Sequence, residues 1–295
     1  MTTPTRTQST DPAPTYRPAS DRPATAGALR VGAARAGIEV KTFFREKDAV
    51  VFVFAFPVIM LGIFATVFGG DDGEAFRVGG VSVPFPQYFL PGMLAAGIML
   101  SSFQSLAISI SIERDDGTLK RLRGTPMPPI SYFLGKIGLV LATSLAQIAL
   151  LLGVAALAFD VELPSEPSRW ATFGWIFALG TAAGTVLGIG FSSVPRSGRS
   201  APAVVTPVVL VLQFISGVFF AFNDLPTWMQ RVAEIFPLKW MAQGMRSVFL
   251  PPELEAGEVS GSWQHGPTVL VLTVWLLVGL VLCLRTFRWS RRDAG

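Results

Sequence analysis

Six largely apolar stretches of 18 to 25 residues, separated by loops that carry nearly all the charge, constrain this chain more than anything else in it. They run Ala49–Phe68, Tyr88–Ile112, Ile137–Phe159, Trp170–Ser193, Ala201–Phe222 and Pro267–Leu284. Each is close to the roughly 20 residues that a helix needs to cross a bilayer core. Lipid offers no partner to a backbone N–H or C=O, so segments of this kind satisfy those groups internally, as helix. The expected fold is an all-α polytopic membrane protein with six transmembrane helices over 49–284. Pro57, Pro91 and Pro207 fall within or near the ends of spans, where neighbouring helices satisfy the freed carbonyls.

Composition agrees. Hydrophobic residues make up 51% and charged residues 15%, with a mean hydropathy of +0.50; soluble domains carry roughly a quarter charged residues. The net charge of +4 forms no single basic patch, so no nucleic-acid partner is expected. With the N-terminus inside, the inner segments 1–48, 113–136, 194–200 and 285–295 hold eight, five, two and four Lys or Arg, which is 19 of 24. The outer segments hold only Arg77, Arg169, Arg231, Lys239 and Arg246. That asymmetry places both termini in the cytoplasm of a multi-pass protein of the cell membrane.

Residues 1–27 are rich in Thr, Pro, Ala and Arg and are expected to be disordered, as a cytoplasmic tail. The first 48 residues hold no apolar core, so no cleavable signal peptide is expected. In 28–48, Val40, Phe43, Phe44 and Lys47 recur at helical spacing beside Arg35, Lys41 and Arg45. This reads as an amphipathic helix in the cytoplasmic interface, the alternative being a charged lead-in to the first span. Residues 285–295 form a second cytoplasmic tail.

No Asp, Glu or His lies inside a span, and Lys136, at the cytoplasmic edge of the third, is placed to snorkel toward water. Ion-coupled carriers usually place ionisable groups near the midplane, so the energy for any transport is expected from outside the membrane. Neither catalytic residues nor a metal site is expected, since Cys283 and His265 are the only residues of their kinds. Cys283 reads as a small apolar filler, and His265 as a loop residue capping the last span.

Uncharged polar residues remain. Ser102, Ser105 and Ser109 share one helical face beside Ser101 and Gln104; Gln147 lies near Thr143 and Ser144, and Gln213 marks the fifth span. Two readings stand, interhelical hydrogen bonding and a weakly polar substrate path. Gly180, Gly184 and Gly188 repeat every four residues and permit close helix contact. Outside, Asn223–Leu250 holds two short amphipathic stretches parted by Pro237, a re-entrant hairpin or an interfacial aromatic belt.

The cytoplasmic loop 113–130 is the most specific segment. Gly117, Thr118, Leu119 and Leu122, followed by Gly124 and Pro126, suit a short amphipathic helix. The run ERDDGTLKRLRGTPMPPISYFLGKI resembles the segment at this position in permeases of the ABC-2 exporter family, with Glu113, Gly117-Thr118-Leu119, Leu122 and Thr125-Pro126 in register. The layout agrees from about Ala28 to Arg292, and the chain is more similar to the drug- and lipid-exporting branch typified by daunorubicin resistance permeases than to polysaccharide exporters.

The resemblance implies that Glu113, Gly117, Thr118, Leu119, Leu122, Thr125 and Pro126 form a coupling element docking on a separate ATPase. That ATPase is expected in two copies and to bind ATP and Mg itself, since this chain has no phosphate-binding G-x-x-x-x-G-K-[ST] loop. The resemblance further implies a second permease subunit, identical or not, and outer gate residues Trp228, Phe236 and Trp240. The cargo would be a hydrophobic or amphiphilic drug, antibiotic or lipid, moved outward. The competing classes are an ion-coupled secondary transporter and a membrane-embedded lipid-modifying enzyme. The latter would need an acidic cluster, for which Asp71, Asp72 and Glu74 are the nearest candidates.

Overall fold

Uncharged runs of Val, Leu, Ile, Phe and Ala become helices in the computed structural model, which describes residues 24–68, 76–78 and 81–287. Most of the expected N-terminal tail, the acidic loop at 71–74 and the C-terminal tail beyond Phe287 lie outside the described residues. The chain opens with α1 (Ala24–Phe43) and α2 (Lys47–Phe68). An antiparallel ribbon follows, β1 (Phe76–Val78) and β2 (Val81–Val83), with Phe76 opposite Val83. Next, α3 (Phe85–Met99) runs through a π-helical turn (Leu100–Gln104) into α4 (Ser105–Asp115) as one continuous rod. Then come α5 (Thr118–Arg123), α6 (Pro129–Ala158), α7 (Pro167–Phe191) and α8 (Ala201–Ile215). On the far side lie α9 (Thr227–Ala233) and α10 (Pro237–Phe249), and α11 (His265–Thr286) closes the described chain.

Five of these are long and apolar enough to cross a membrane: α2, the α3–α4 rod, α6, α7 and α11. The fifth apolar stretch, Ala201–Phe222, is only partly helical. At 15 residues α8 spans about 22 Å, short of the ~30 Å hydrocarbon core. It stops at Ile215 because the chain turns at Gly217, whose φ of +73° no right-handed helix accommodates. Pro57, Pro91 and Pro207 are carried inside α2, α3 and α8.

The rod of α3 and α4 is the axis of the bundle. Every residue from Phe89 to Gln104 is buried, with Leu90, Met93, Leu94 and Ile98 packed in one core with Val205 and Val209 of α8 and Met241, Met245 and Val248 of α10. Glycines of α7 let that rod approach closely. An added Cβ at Gly184 would lie 2.1 Å from Ser102 Oγ, and one at Gly188 would lie 2.8 Å from the Phe103 carbonyl oxygen. By contrast, α2 and α11 expose Val51, Ile59, Ile63, Leu277 and Leu284, a surface suited to lipid.

The 30 residues of α6 make it about 45 Å long, with its surplus at the Pro129 end. There α1 lies lengthwise against it. Ser131 donates to the Ala28 carbonyl at 2.9 Å, Gly32 meets Leu134, and Ala36 meets Gly138, so the two helices run parallel. A helix thus covers much of the expected 28–48 segment but ends at Phe43, before Lys47 opens α2, with its small residues turned to α6 and Leu29, Ile38 and Lys41 exposed.

Candidate functional site

The loop singled out in the sequence folds as an arm below the rod. Gly117 adopts φ +78° and turns the chain from α4 into α5, while Asp116 Oδ1 accepts the Thr118 N–H at 2.8 Å. Leu119 is fully buried with Leu106, Ile110, Tyr132, Val140 and Ile189, and Leu122 packs at its edge. Thr125 Oγ1 closes the helix by donating to the Leu122 carbonyl at 2.6 Å. Lys120, Arg121, Arg123, Thr125 and Pro126 are exposed. One face therefore anchors α5 to the bundle, and the other presents three cations to the surroundings.

Above this arm lies a cluster that the sequence did not reveal. Lys136 is 1% exposed, so it does not snorkel, contrary to expectation. Its ammonium is held by two carboxylates, Glu39 Oε2 at 3.0 Å and Glu113 Oε1. Tyr132 donates its hydroxyl to Glu113 Oε2 at 2.8 Å, and Arg35 pairs with Glu39 at 2.6 Å. Two cations and two carboxylates from α1, α4 and α6 thereby balance one another out of water, the condition under which buried charge is tolerated. An acidic residue one turn beyond Arg35 in an otherwise basic helix was the available signal, with a lysine embedded in an apolar run beside it. Glu113, expected at the ATPase contact, faces inward to this cluster. The far end of α4 is also tied down, with Arg114 donating to the Ser192 carbonyl and Asp115 Oδ2 accepting the Gly198 N–H at 3.0 Å.

The serines of the second span do not share one environment. Ser102 is fully buried against Gly184, and Ser101 donates to Gln147 Oε1 at 3.0 Å, whereas Ser105 and Ser109 are half-buried. The π turn that contains Ser101 and Ser102 breaks the regular helical phase before Ser105 and Ser109. Gln147 is buried between α6 and Gly97, and Gln213 is fully buried with neither side-chain atom hydrogen-bonded. Ser144 Oγ, Thr181 Oγ1 and Ser216 Oγ are likewise buried and unpartnered. Each such group costs about 1–3 kcal/mol where nothing replaces its water.

On the far side, α10 is enclosed by protein along almost its whole length rather than lying along a surface. Trp240 is buried and donates Nε1 to the Glu234 carbonyl at 2.7 Å, and Phe236 stacks on Trp275 at 6.0 Å. Trp228, by contrast, is 63% exposed. The two cations of α10 are held differently. Arg246, 2% exposed, meets Glu258 at 3.3 Å. Lys239 bonds Gln243 Oε1 at 2.6 Å and lies 3.6 Å from the Trp240 ring centroid. Burial pulls its ammonium from the ordinary 10.5 down to about 8, opposed by Glu234 and Glu258. His265 begins α11, its Nε2 2.9 Å from Ser247 Oγ.

Apolar spanning helices, a cytoplasmic-type arm between two of them and a bundle with its charge at the ends define a multi-pass membrane transport permease. Comparison with known proteins makes the class specific: residues 36–250 match the ABC-2 type transporter family, to which the chain belongs. Among similar proteins is the daunorubicin resistance ABC transporter permease protein DrrB1 of Streptomyces coeruleorubidus, 24% identical over 281 residues, covering 92% of this chain and 90% of that one. The inner membrane transport permease YadH of Escherichia coli K12 is 22% identical over 195 residues, 66% and 74% of the two chains. The putative transport permease YvfS of Bacillus subtilis is 22% identical over 250 residues, 83% and 91% of the two.

Proposed function

We propose that this chain is the membrane-spanning subunit of an ATP-driven exporter, with both termini in the cytoplasm and a hydrophobic or amphiphilic cargo such as a drug, antibiotic or lipid. ATP and Mg bind to a separate ATPase present in two copies, and a second permease subunit completes the path. The observation that carries this reading is α5, a helix anchored by buried Leu119 whose outer face leaves Lys120, Arg121 and Arg123 free of the bundle. A short, rigidly seated helix joined directly to two spans acts as a lever once a partner grips it. The name of the daunorubicin resistance relative supports a drug-like cargo. So does a bundle whose buried polar groups between the charged clusters at its two ends, Gln147, Gln213 and the serines, are uncharged. Phe236 and Trp240 remain the exit candidates on the far side, and exposed Trp228 reads as a lipid-facing anchor.

The test is to purify the tagged chain from its own membranes, identify co-eluting polypeptides and measure ATP hydrolysis. An ATPase is expected in the complex. Gly117→Pro, which cannot take a positive φ, should release it or silence hydrolysis. Transport by the chain alone along a proton gradient, with no nucleotide-hydrolysing companion, would refute the reading.

A further inference from the structure

The buried charge cluster does something that ordinary packing would not require. Where α1 meets α6 the backbones approach closely, with Leu134 seated against Gly32, the Arg35 stem against Gly135 and Ala36 against Gly138. These contacts join α1 to α6 and do not reach α4. An ion pair out of water adds a further constraint, and here it reaches a third helix. Moving either partner strands a charge, so the pair fixes one register. Lys136 sits where three helices meet, bonded to Glu39 of α1 and Glu113 of α4 from its place on α6. Tyr132, on the same helix as Lys136, closes the loop onto Glu113. The charges balance, Arg35 and Lys136 against Glu39 and Glu113, and no fifth ionised group is needed.

From this geometry we infer that Lys136 is a positioning residue that yokes α1 and the α4–α5 arm to α6, so that a displacement of α5 carries the three helices together. The inference rests on the ATPase-coupled reading given above and assigns Lys136, Glu39 and Arg35 a part in it. Glu113 works inward, through Lys136, and not at the surface of the ATPase. Motion imposed at the cytoplasmic end of α4 then reaches the far end of α6, about 45 Å from its start.

The experiment reads that motion directly. Cys283 is the only cysteine, so Cys283→Ala with Ser165→Cys gives one labelling site, exposed in the outer connection just beyond α6. An environment-sensitive fluorophore there is followed in the complete permease–ATPase complex as ATP, Mg and orthovanadate trap the nucleotide-bound state. Lys136→Met should lower the nucleotide-dependent signal about tenfold while co-elution and basal hydrolysis persist. Lys136→Arg, which keeps the charge, should restore most of it. A purely structural lysine would change the amount or thermal stability of the complex and leave the signal per complex intact. A full signal from Lys136→Met, or equal loss in Lys136→Arg, overturns the yoke. If Lys136→Met does not reach the membrane, Glu113→Gln is read the same way, because it keeps the shape of the side chain and removes one of the two charges. Absence of any ATPase from the parent complex overturns both readings, and is told apart because it is seen before any residue is changed.

Discussion

Replace Leu119 with alanine and the arm should come loose while the spans stay folded. Leu119 is fully buried, yet it belongs to a six-residue helix outside the spans, so its burial is opposed to water and not to lipid. Three carbons are removed, at ~0.8 kcal/mol each, about 2.4 kcal/mol of transfer free energy. A partly collapsed cavity among Leu106, Ile110, Tyr132, Val140 and Ile189 raises the cost to about 3 kcal/mol. Six residues cannot form a stable helix unaided, so the loss falls on local release of α5. At about 1.4 kcal/mol per tenfold, the released population rises on the order of 100-fold. Hydrogen–deuterium exchange over residues 117–123 measures this, with peptides from α3 and α7 as internal controls. A change of less than about threefold in 117–123 would show that Leu119 is not the anchor. Equal acceleration in α3 would show that the arm and bundle unfold as one unit, which defeats the lever argument as well.

Other expectations follow from the same geometry. Gly188→Ala places a methyl group 2.8 Å from the Phe103 carbonyl oxygen and 2.9 Å from that of Ser102. The rigid backbone there should cost about 1–3 kcal/mol, seen as a lower Tm in detergent; Gly174→Ala, with nothing within 4 Å, is the control. Arg246→Met strands Glu258 and should destabilise by about 3–5 kcal/mol, with Glu258→Gln added to it recovering part of the loss in the same thermal assay. Lys239 has a folded pKa of about 8 against an ordinary 10.5. Between those values the unfolded chain binds the proton and the folded chain does not, so stability should rise with pH across that window. Thermal unfolding from pH 7 to pH 10 should lose that rise in Lys239→Met.

Much of the architecture was legible because bilayer thickness imposes a length on every span. The five long spans lie where uncharged runs lie, within a few residues except that α6 begins eight residues early at Pro129, and the short arm lies where Gly117 and Gly124 bracket it. What escaped depended on partners distant in sequence. The fifth-drawn stretch continued to Phe222 because Val218, Phe219 and Phe220 are as apolar as a span; only Gly217, bent by packing against Phe222, shows that the helix has ended. Lys136 looked free to reach water because nothing in its own neighbourhood is acidic, and Glu39 lies 97 positions away. The second hairpin helix is amphipathic by its spacing, which leaves open where its polar stripe points. That stripe, Lys239, Gln243 and Arg246, turns to Glu258, Ser262 and Gln264. Periodicity gives the angle between two faces of a helix and cannot say which one meets solvent.

The π turn at Leu100–Gln104 carries a consequence for how this chain tolerates length changes. One extra residue wound into a turn rotates everything downstream by about 100°. Glu113 lies two to three turns below it and is aimed at Lys136 only with that rotation included. Removing a single residue there would keep the hydrophobic composition, shorten the rod by about 1.5 Å and swing the carboxylate away from its lysine. The segment is thus a phase-setting element: its residue count, more than its chemistry, decides which way the cytoplasmic half of the rod faces.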